Sequence, residues 1–135
     1  MRILAVDHGT KRIGLAISDE TGTIAQSIGY VGSVAEVLRI ATERGAGKII
    51  VGVPRRLDNS ASEQTNRALA FITALQSATT LPVVGWDERL TTVQAERVLV
   101  EGNVRRADRK DKRDQLAAQI LLQSYLDAKE FQRSL

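Results

Sequence analysis

Three acidic positions stand where a carboxylate is costly unless something binds it. Asp7 closes the apolar run Arg2 to Asp7 and is followed by His8-Gly9-Thr10-Lys11-Arg12. An acid at the end of such a run is normally capped, neutralised or bound to a cation. Gly9 lets a phosphate or metal approach the backbone beside it, and Thr10, Lys11 and Arg12 are donors for phosphate oxygens. Asp87 and Glu88 end the run Pro82 to Asp87, at the kind of strand end where α/β sheets place ligands. Neighbouring strand residues face opposite ways, so only one of the two reaches the site of Asp7, and Arg89 stands ready to pair with the other. Asp114 shares a helical stripe with Ala117, Ala118, Leu121 and Tyr125, the face that packs on a sheet. Asp111 reads better as an N-cap, and Asp108 lies in the preceding loop. If Asp7, one of Asp87 and Glu88, and Asp114 converge on one sheet edge, they repel each other unless cations bind there. Oxygen ligands in a chain with one histidine and no cysteine point to Mg2+ or Mn2+. Two such ions roughly 3.5–4 Å apart activate a water and stabilise the leaving oxygen in phosphodiester cleavage.

The elements that must position these acids are legible from periodicity. Arg2 to Asp7, Arg12 to Asp19 and Ile24 to Val31 form three strands with tight turns, an antiparallel meander. Ser33 caps a helix that stops at Gly45, and Lys48 to Val53 is a strand apolar on both faces, hence central. Ser60 with Glu63 has capping-box spacing and opens a helix to about Ala78; Pro82 to Asp87 is the fifth strand. Thr91 with Gln94 repeats that spacing before a helix ending near Gly102, and a last helix runs from about Lys112 to Glu130. The fourth and fifth strands flank a helix and so run parallel. The expected fold is α/β: a five-stranded mixed sheet, a three-strand antiparallel meander plus two parallel strands, with helices on both faces.

The 135 residues make room for one domain, residues 1–135. Absence of cysteine excludes disulfides, thiolate metal sites and cysteine nucleophiles, and with no signal peptide it points to the cytoplasm. No apolar run is long enough to span a membrane. The formal charge is +3, and the stretch Arg105 to Asp114 carries all of it: Arg105, Arg106, Arg109, Lys110, Lys112 and Arg113 against Asp108, Asp111 and Asp114. This is either a solvated loop or frayed helix start, or a segment that tracks nucleic-acid phosphates. Arg89 is counted among the candidate nucleic-acid contacts. His8, the only histidine, reads as a packing or hydrogen-bonding residue. Tyr30, Phe71, Trp86 and Phe131 are scattered and read as core, and 4% aromatic content argues against a stacking platform for bases.

Four segments together resemble the YqgF/RuvX family over essentially the whole chain. They are Asp7-His8-Gly9 with Arg12-Ile13-Gly14-Leu15-Ala16; Ile50-Val51-Gly52-Val53-Pro54; Asp87-Glu88-Arg89-Leu90-Thr91-Thr92 with Ala95; and Asp114 with Ala117-Ala118 and Ile120 to Asp127. The family comprises RNase H-like proteins described as pre-16S rRNA nucleases or Holliday junction resolvase-like proteins. The resemblance implies an RNase H-like fold and a nuclease dependent on two Mg2+ or Mn2+ ions. It places the acids at Asp7, at Glu88 (first choice) or Asp87, and at Asp114, with cleavage leaving a 5′-phosphate and a 3′-hydroxyl. Arg113 stands where the family usually has an apolar residue. The implied substrate is nucleic acid, either an rRNA precursor in ribosome biogenesis or structured DNA in recombination; a monomer and a homodimer are both compatible. Two other readings compete. Asp7-His8-Gly9-Thr10 is also the first phosphate loop of actin and sugar-kinase relatives, but a second loop and domain are missing. A non-catalytic ribosome-assembly factor would keep the fold and the basic segment without turnover.

Overall fold

Runs buried at consecutive positions, Ile13–Ser18 and residues 49–53 among them, build a sheet whose two faces are both covered. The computed structural model describes residues 1–56, 58, 60–91 and 109–134, those at 90, 91, 109–115, 133 and 134 by their backbone alone. Five strands, β1 (Arg2–His8), β2 (Ile13–Ser18), β3 (Ala25–Val31), β4 (Ala46–Val53) and β5 (Val83–Asp87), lie in the order β3-β2-β1-β4-β5. The meander β1-β2-β3 is antiparallel and β4 pairs parallel with β5, as the pattern predicts; β4 also pairs parallel with β1. This is the expected mixed sheet.

Helices α1 (Val34–Arg44) and α2 (Glu63–Ala78) cover one face, where Leu4, Val6, Leu15, Val51, Phe71 and Leu75 form a core. Helix α3 (Arg109–Ser134) covers the other, packing Ala118, Leu121, Leu122 and Tyr125 on Ile3, Ala5, Ala16 and Ile50. Gln123 pins α3 to the sheet edge: its side-chain carbonyl accepts from Ala25 N at 2.9 Å and its amide donates to Thr23 O at 2.9 Å.

The structure corrects several boundaries. The cap of α2 is Ser62, not Ser60. Ser62 Oγ accepts from Thr65 N at 3.1 Å and Thr65 Oγ1 accepts from Ser62 N at 2.9 Å. Only the Ser60 window has the usual glutamate at its fourth position, but burial overrides the pattern, because Thr65 is fully buried and its hydroxyl donates to Pro54 O. That bond holds the exit of β4 against the start of α2. The last helix begins at Arg109, three residues earlier than expected, so Arg109 and Lys110 join Lys112 and Arg113 on its first turns, in line with the helix-start reading of the run, and Asp111 is inside the helix rather than its cap. Lysine and arginine are good helix formers, and a solvated charge run hides a helix from an apolar-period search. Thr91 belongs to a short 3-10 turn, Glu88–Thr91. The helix expected to end near Gly102, together with Gln94, Arg105, Arg106 and Asp108, lies outside the described residues.

Candidate active site at the carboxyl end of the first strand

Register across the sheet assembles a row that no single segment encodes. Asp7 pairs with Gly14 and Gly14 with Tyr30 in the antiparallel half. Val6 pairs with Val51, which sets Asp7 beside Gly52, and Gly52 pairs with Trp86. The row across the five strands is therefore Tyr30-Gly14-Asp7-Gly52-Trp86, on the face covered by α3. Two glycines flank the carboxylate and let other side chains close over the strands on either side, and an aromatic ring stands at each end. Glycine inside a strand often marks such a close approach.

The floor at Gly52 is filled by Glu88. Strand β5 stops at Asp87, and the 3-10 turn folds Glu88 back over β4, so that a Cβ added at Gly52 would lie 3.0 Å from Glu88 Cγ and Cδ and overlap its carboxyl oxygen. There the buried Glu88 carboxyl donates a hydrogen bond to Asp7. Burial first, then the charge of Asp7, the shared hydrogen bond and the charge of Asp87 push Glu88 up to about 8. Asp87 takes the opposite face, in register with the core residue Val53. Arg89 Nε bonds both of its oxygens at 3.0 Å, and Arg89 Nη1 donates to Arg56 O at 3.2 Å. The Arg89 hydrogen bond is the main reason the Asp87 carboxyl lies below its ordinary value. The pair thus divides: Glu88 meets Asp7, and Arg89 holds Asp87 while strapping the turn to the loop after β4.

His8 also faces away from Asp7 and stacks on Phe71 of α2, with ring centroids 4.5 Å apart. Burial lowers its pKa against the pull of Asp7, and Arg67 lowers it further, so it is neutral at pH 7. Packing, not proton transfer, is its visible role. Two cavities open beside Asp7, sharing Gly9 and Thr10. One of about 260 Å3 extends past His8 and Glu88 to Pro54, Gln64 and Arg67 of α2. The other, about 300 Å3, extends past Lys11, Arg12 and Gly14 to Tyr30.

Of the candidate residues, Asp7, Glu88, Thr10, Lys11 and Arg12 are therefore brought together, whereas Asp87 and Arg89 engage each other. Asp114 is placed by its backbone: it lies one helical turn before Ala118, whose Cβ would sit 3.8 Å from a Cβ at Gly14, as would the Cβ of Asp7. Helix α3 also touches the Glu88–Thr91 turn. The side chains of Arg109, Lys110, Lys112, Arg113 and Asp114 lie outside the described residues. Sequence reasoning missed Gly52, Tyr30, Gln64 and Arg67. The glycine in Lys48 to Val53 was a usable signal; Arg67, four residues after Glu63 and 2.8 Å from it, looks like any surface helix pair. Tyr30 is not a core residue, since it is 38% exposed on the edge strand. Phe131 is exposed as well.

Among the described residues no cluster of three or more acidic, histidine or cysteine side chains stands ready to hold a metal; the two carboxyls of Asp7 and Glu88 are the kind of oxygen donors a hard divalent cation takes. Two carboxyls forced into one hydrogen-bonded pair hold a proton where a cation with oxygen preference would take its place.

The sequence model described as "RuvX: Holliday junction resolvase" matches residues 1–128. The chain belongs to the RuvX family. RuvX relatives named "Putative pre-16S rRNA nuclease" include one from Pelotomaculum thermopropionicum, 41% identical, covering 95% of this chain and 88% of the relative. Another, from Caldanaerobacter subterraneus, is 43% identical over 96% of this chain and 99% of its own length. Among solved structures the fold is similar to that of T. thermophilus RuvC in complex with Holliday junction substrate, with a TM-score of 0.63, 14% identity and 96% of each chain covered. A second Thermus thermophilus RuvC structure gives 0.58, with 12% identity and the same coverage. The RNase H-like architecture implied by the sequence is thus the architecture observed. In this RuvX chain, Gly52→Ala is expected to cut activity about a hundredfold by displacing Glu88, since misplacing a reacting group by about 1 Å has that effect. Cleavage assays on the folded variant, checked by circular dichroism, test this; a wild-type rate would detach Gly52 from the site.

Proposed function

We propose that this RuvX-family chain is a divalent-metal-dependent nuclease that hydrolyses phosphodiester bonds in nucleic acid, acting in 5′-end processing of pre-16S rRNA. The observation that carries the reading is the Asp7–Glu88 pair, held over the Gly52 floor at a strand end with a cavity on each side. The names of its close relatives favour the rRNA substrate. Asp7, Glu88 and Asp114 would hold two Mg2+ or Mn2+ ions, which supply charge neutralisation and Lewis-acid polarisation at the phosphate. The protein's own groups do the rest. Thr10 and Lys11 in the β1–β2 loop donate to phosphate oxygens, and Arg67 neutralises the strand in the far cavity. Neutral His8, stacked on Phe71, fixes the backbone that carries Asp7. Water adds across the P–O3′ bond, giving a 5′-phosphate and a 3′-hydroxyl. Among the described residues no helix is long and apolar enough to cross a membrane, and a cysteine-free chain fits the reducing cytoplasm.

The description of the family model favours a second substrate, a four-way DNA junction. A panel of precursor rRNA ends, junctions and single strands, each titrated with Mg2+ and Mn2+, separates the two. Failure to cut any of them with either ion would leave the non-catalytic assembly-factor reading. The basic run Arg105 to Arg113 would hold the phosphate backbone. Replacing Arg105, Arg106, Arg109 and Lys110 with Ala should weaken binding alike for all sequences and flatten log K against log salt by about 0.7–0.9 per lost phosphate contact. An unchanged slope would return the segment to a solvated surface.

A further inference from the structure

We propose that the cavity between Asp7 and Tyr30 is a subsite for one unpaired nucleobase, stacked on the Tyr30–Arg12 pair beside the phosphate held at Asp7. The inference rests on the nuclease reading for its orientation, and it names what that reading leaves open: the substrate must present a splayed-out or single-stranded base next to the cleaved bond.

An exposed tyrosine on an edge strand needs a reason. Tyr30 leans over Gly14, with its Cε1 3.7 Å from where a Cβ would be, and the Arg12 guanidinium lies 3.8 Å from the ring centroid. Such cation–π stacking fixes both groups in one flat, positively charged surface. Both line the same cavity as Asp7, Thr10 and Lys11. Its volume of about 300 Å3 is at the small end for ligand pockets, enough for one nucleoside and too little for a duplex. The Tyr30 and Asp7 backbones stand two strands apart, about 9–10 Å by sheet spacing, and the Tyr30 ring leans back over Gly14 towards Asp7, which puts a base stacked there beside a phosphate held at Asp7. Gly14 between them carries no side chain, which lets the Tyr30 ring lie close over the strand. Lys11 and Thr10 at the rim supply donors to the phosphate. Single-strand sites combine these parts, a cationic track and an aromatic face that accepts any base. A base pair inside a duplex has both faces covered by its neighbours, and the terminal pair of a blunt duplex is too wide for a cavity of about 300 Å3, so a duplex gains nothing here.

The test is equilibrium binding without added metal of a short single strand carrying 2-aminopurine, with a blunt duplex of equal length as comparison. Wild type and Tyr30→Phe should quench the 2-aminopurine, whereas Tyr30→Ala should lose the quenching and about tenfold or more in single-strand affinity while binding the duplex as wild type does. Gly14→Ala provides a second variant: its methyl meets Tyr30, Asp7 and Ala118 at the ordinary contact distances of 3.7–3.8 Å, so the fold is kept while the floor is raised. It should weaken single-strand binding in the same direction. Equal quenching and affinity in wild type, Tyr30→Ala and Gly14→Ala would overturn the subsite even if the wild type cuts nucleic acid. Quenching that depends on Tyr30 in a protein that cuts nothing with Mg2+ or Mn2+ would overturn the nuclease reading and leave the subsite standing.

Discussion

Asp7→Asn is expected to remove cleavage, by about a thousandfold, while leaving the folded protein at least as stable as the wild type. The rate effect follows from losing one charged ligand at a site where several kcal/mol of charge stabilisation is concentrated on the phosphate, each 1.36 kcal/mol being about tenfold. The stability effect follows from the neighbour. Glu88 is buried against Gly52, and the charge of Asp7 is among the causes that push its carboxyl up to about 8. An amide in place of the carboxylate keeps the shape and a hydrogen-bonding oxygen but removes that repulsion. Metal-free melting temperature and single-turnover cleavage, measured on the same preparation, test both halves. Cleavage at the wild-type rate by the folded variant would remove Asp7 from the chemistry.

Glu88→Gln should match that loss, and Asp87→Asn should not, although the two acids are adjacent. Glu88 lies with Asp7, whereas Asp87 faces away and is bonded by Arg89. Their pH signatures have opposite signs. The folded-state pKa of Glu88 is raised from 4.5 to about 8, so its contribution is fully present below 4.5 and is lost as pH rises towards 8. The metal-free wild type should therefore melt lower across that window, Glu88→Gln should flatten the decline, and Mg2+ or Mn2+ should offset it at the upper end. The folded-state pKa of Asp87 is depressed, so its modest contribution is present above its unfolded value and is lost as pH falls. Equal and complete loss of cleavage in both folded variants would contradict the division of roles.

What the residues alone determine is local and periodic. The meander, the parallel crossover, the central position of β4 and the cap of α1 at Ser33 all follow from spacings within a few residues, and the observed sheet agrees with them. Alternation along the strand led to the expectation that only one of Asp87 and Glu88 meets Asp7, but Glu88 lies beyond the strand, in the turn that follows it. Which one it is depends on where β5 ends and how the next turn folds, and that is set by the space over Gly52 on a different strand. The pattern favours Ser60, with Glu63 at the fourth position, and the buried bond from Thr65 to Pro54 O is what moves the cap to Ser62. Tyr30 reads as one more core aromatic until register sets it across Gly14 from Asp7, and His8 reads as a packing or hydrogen-bonding residue whose partner, Phe71, appears only when α2 docks. Register and helix docking join residues far apart in the chain through shared volume. No short window of sequence contains that volume, so the acids were legible by type and place, and the pairing, the glycine floor and the two cavities were decided by tertiary packing.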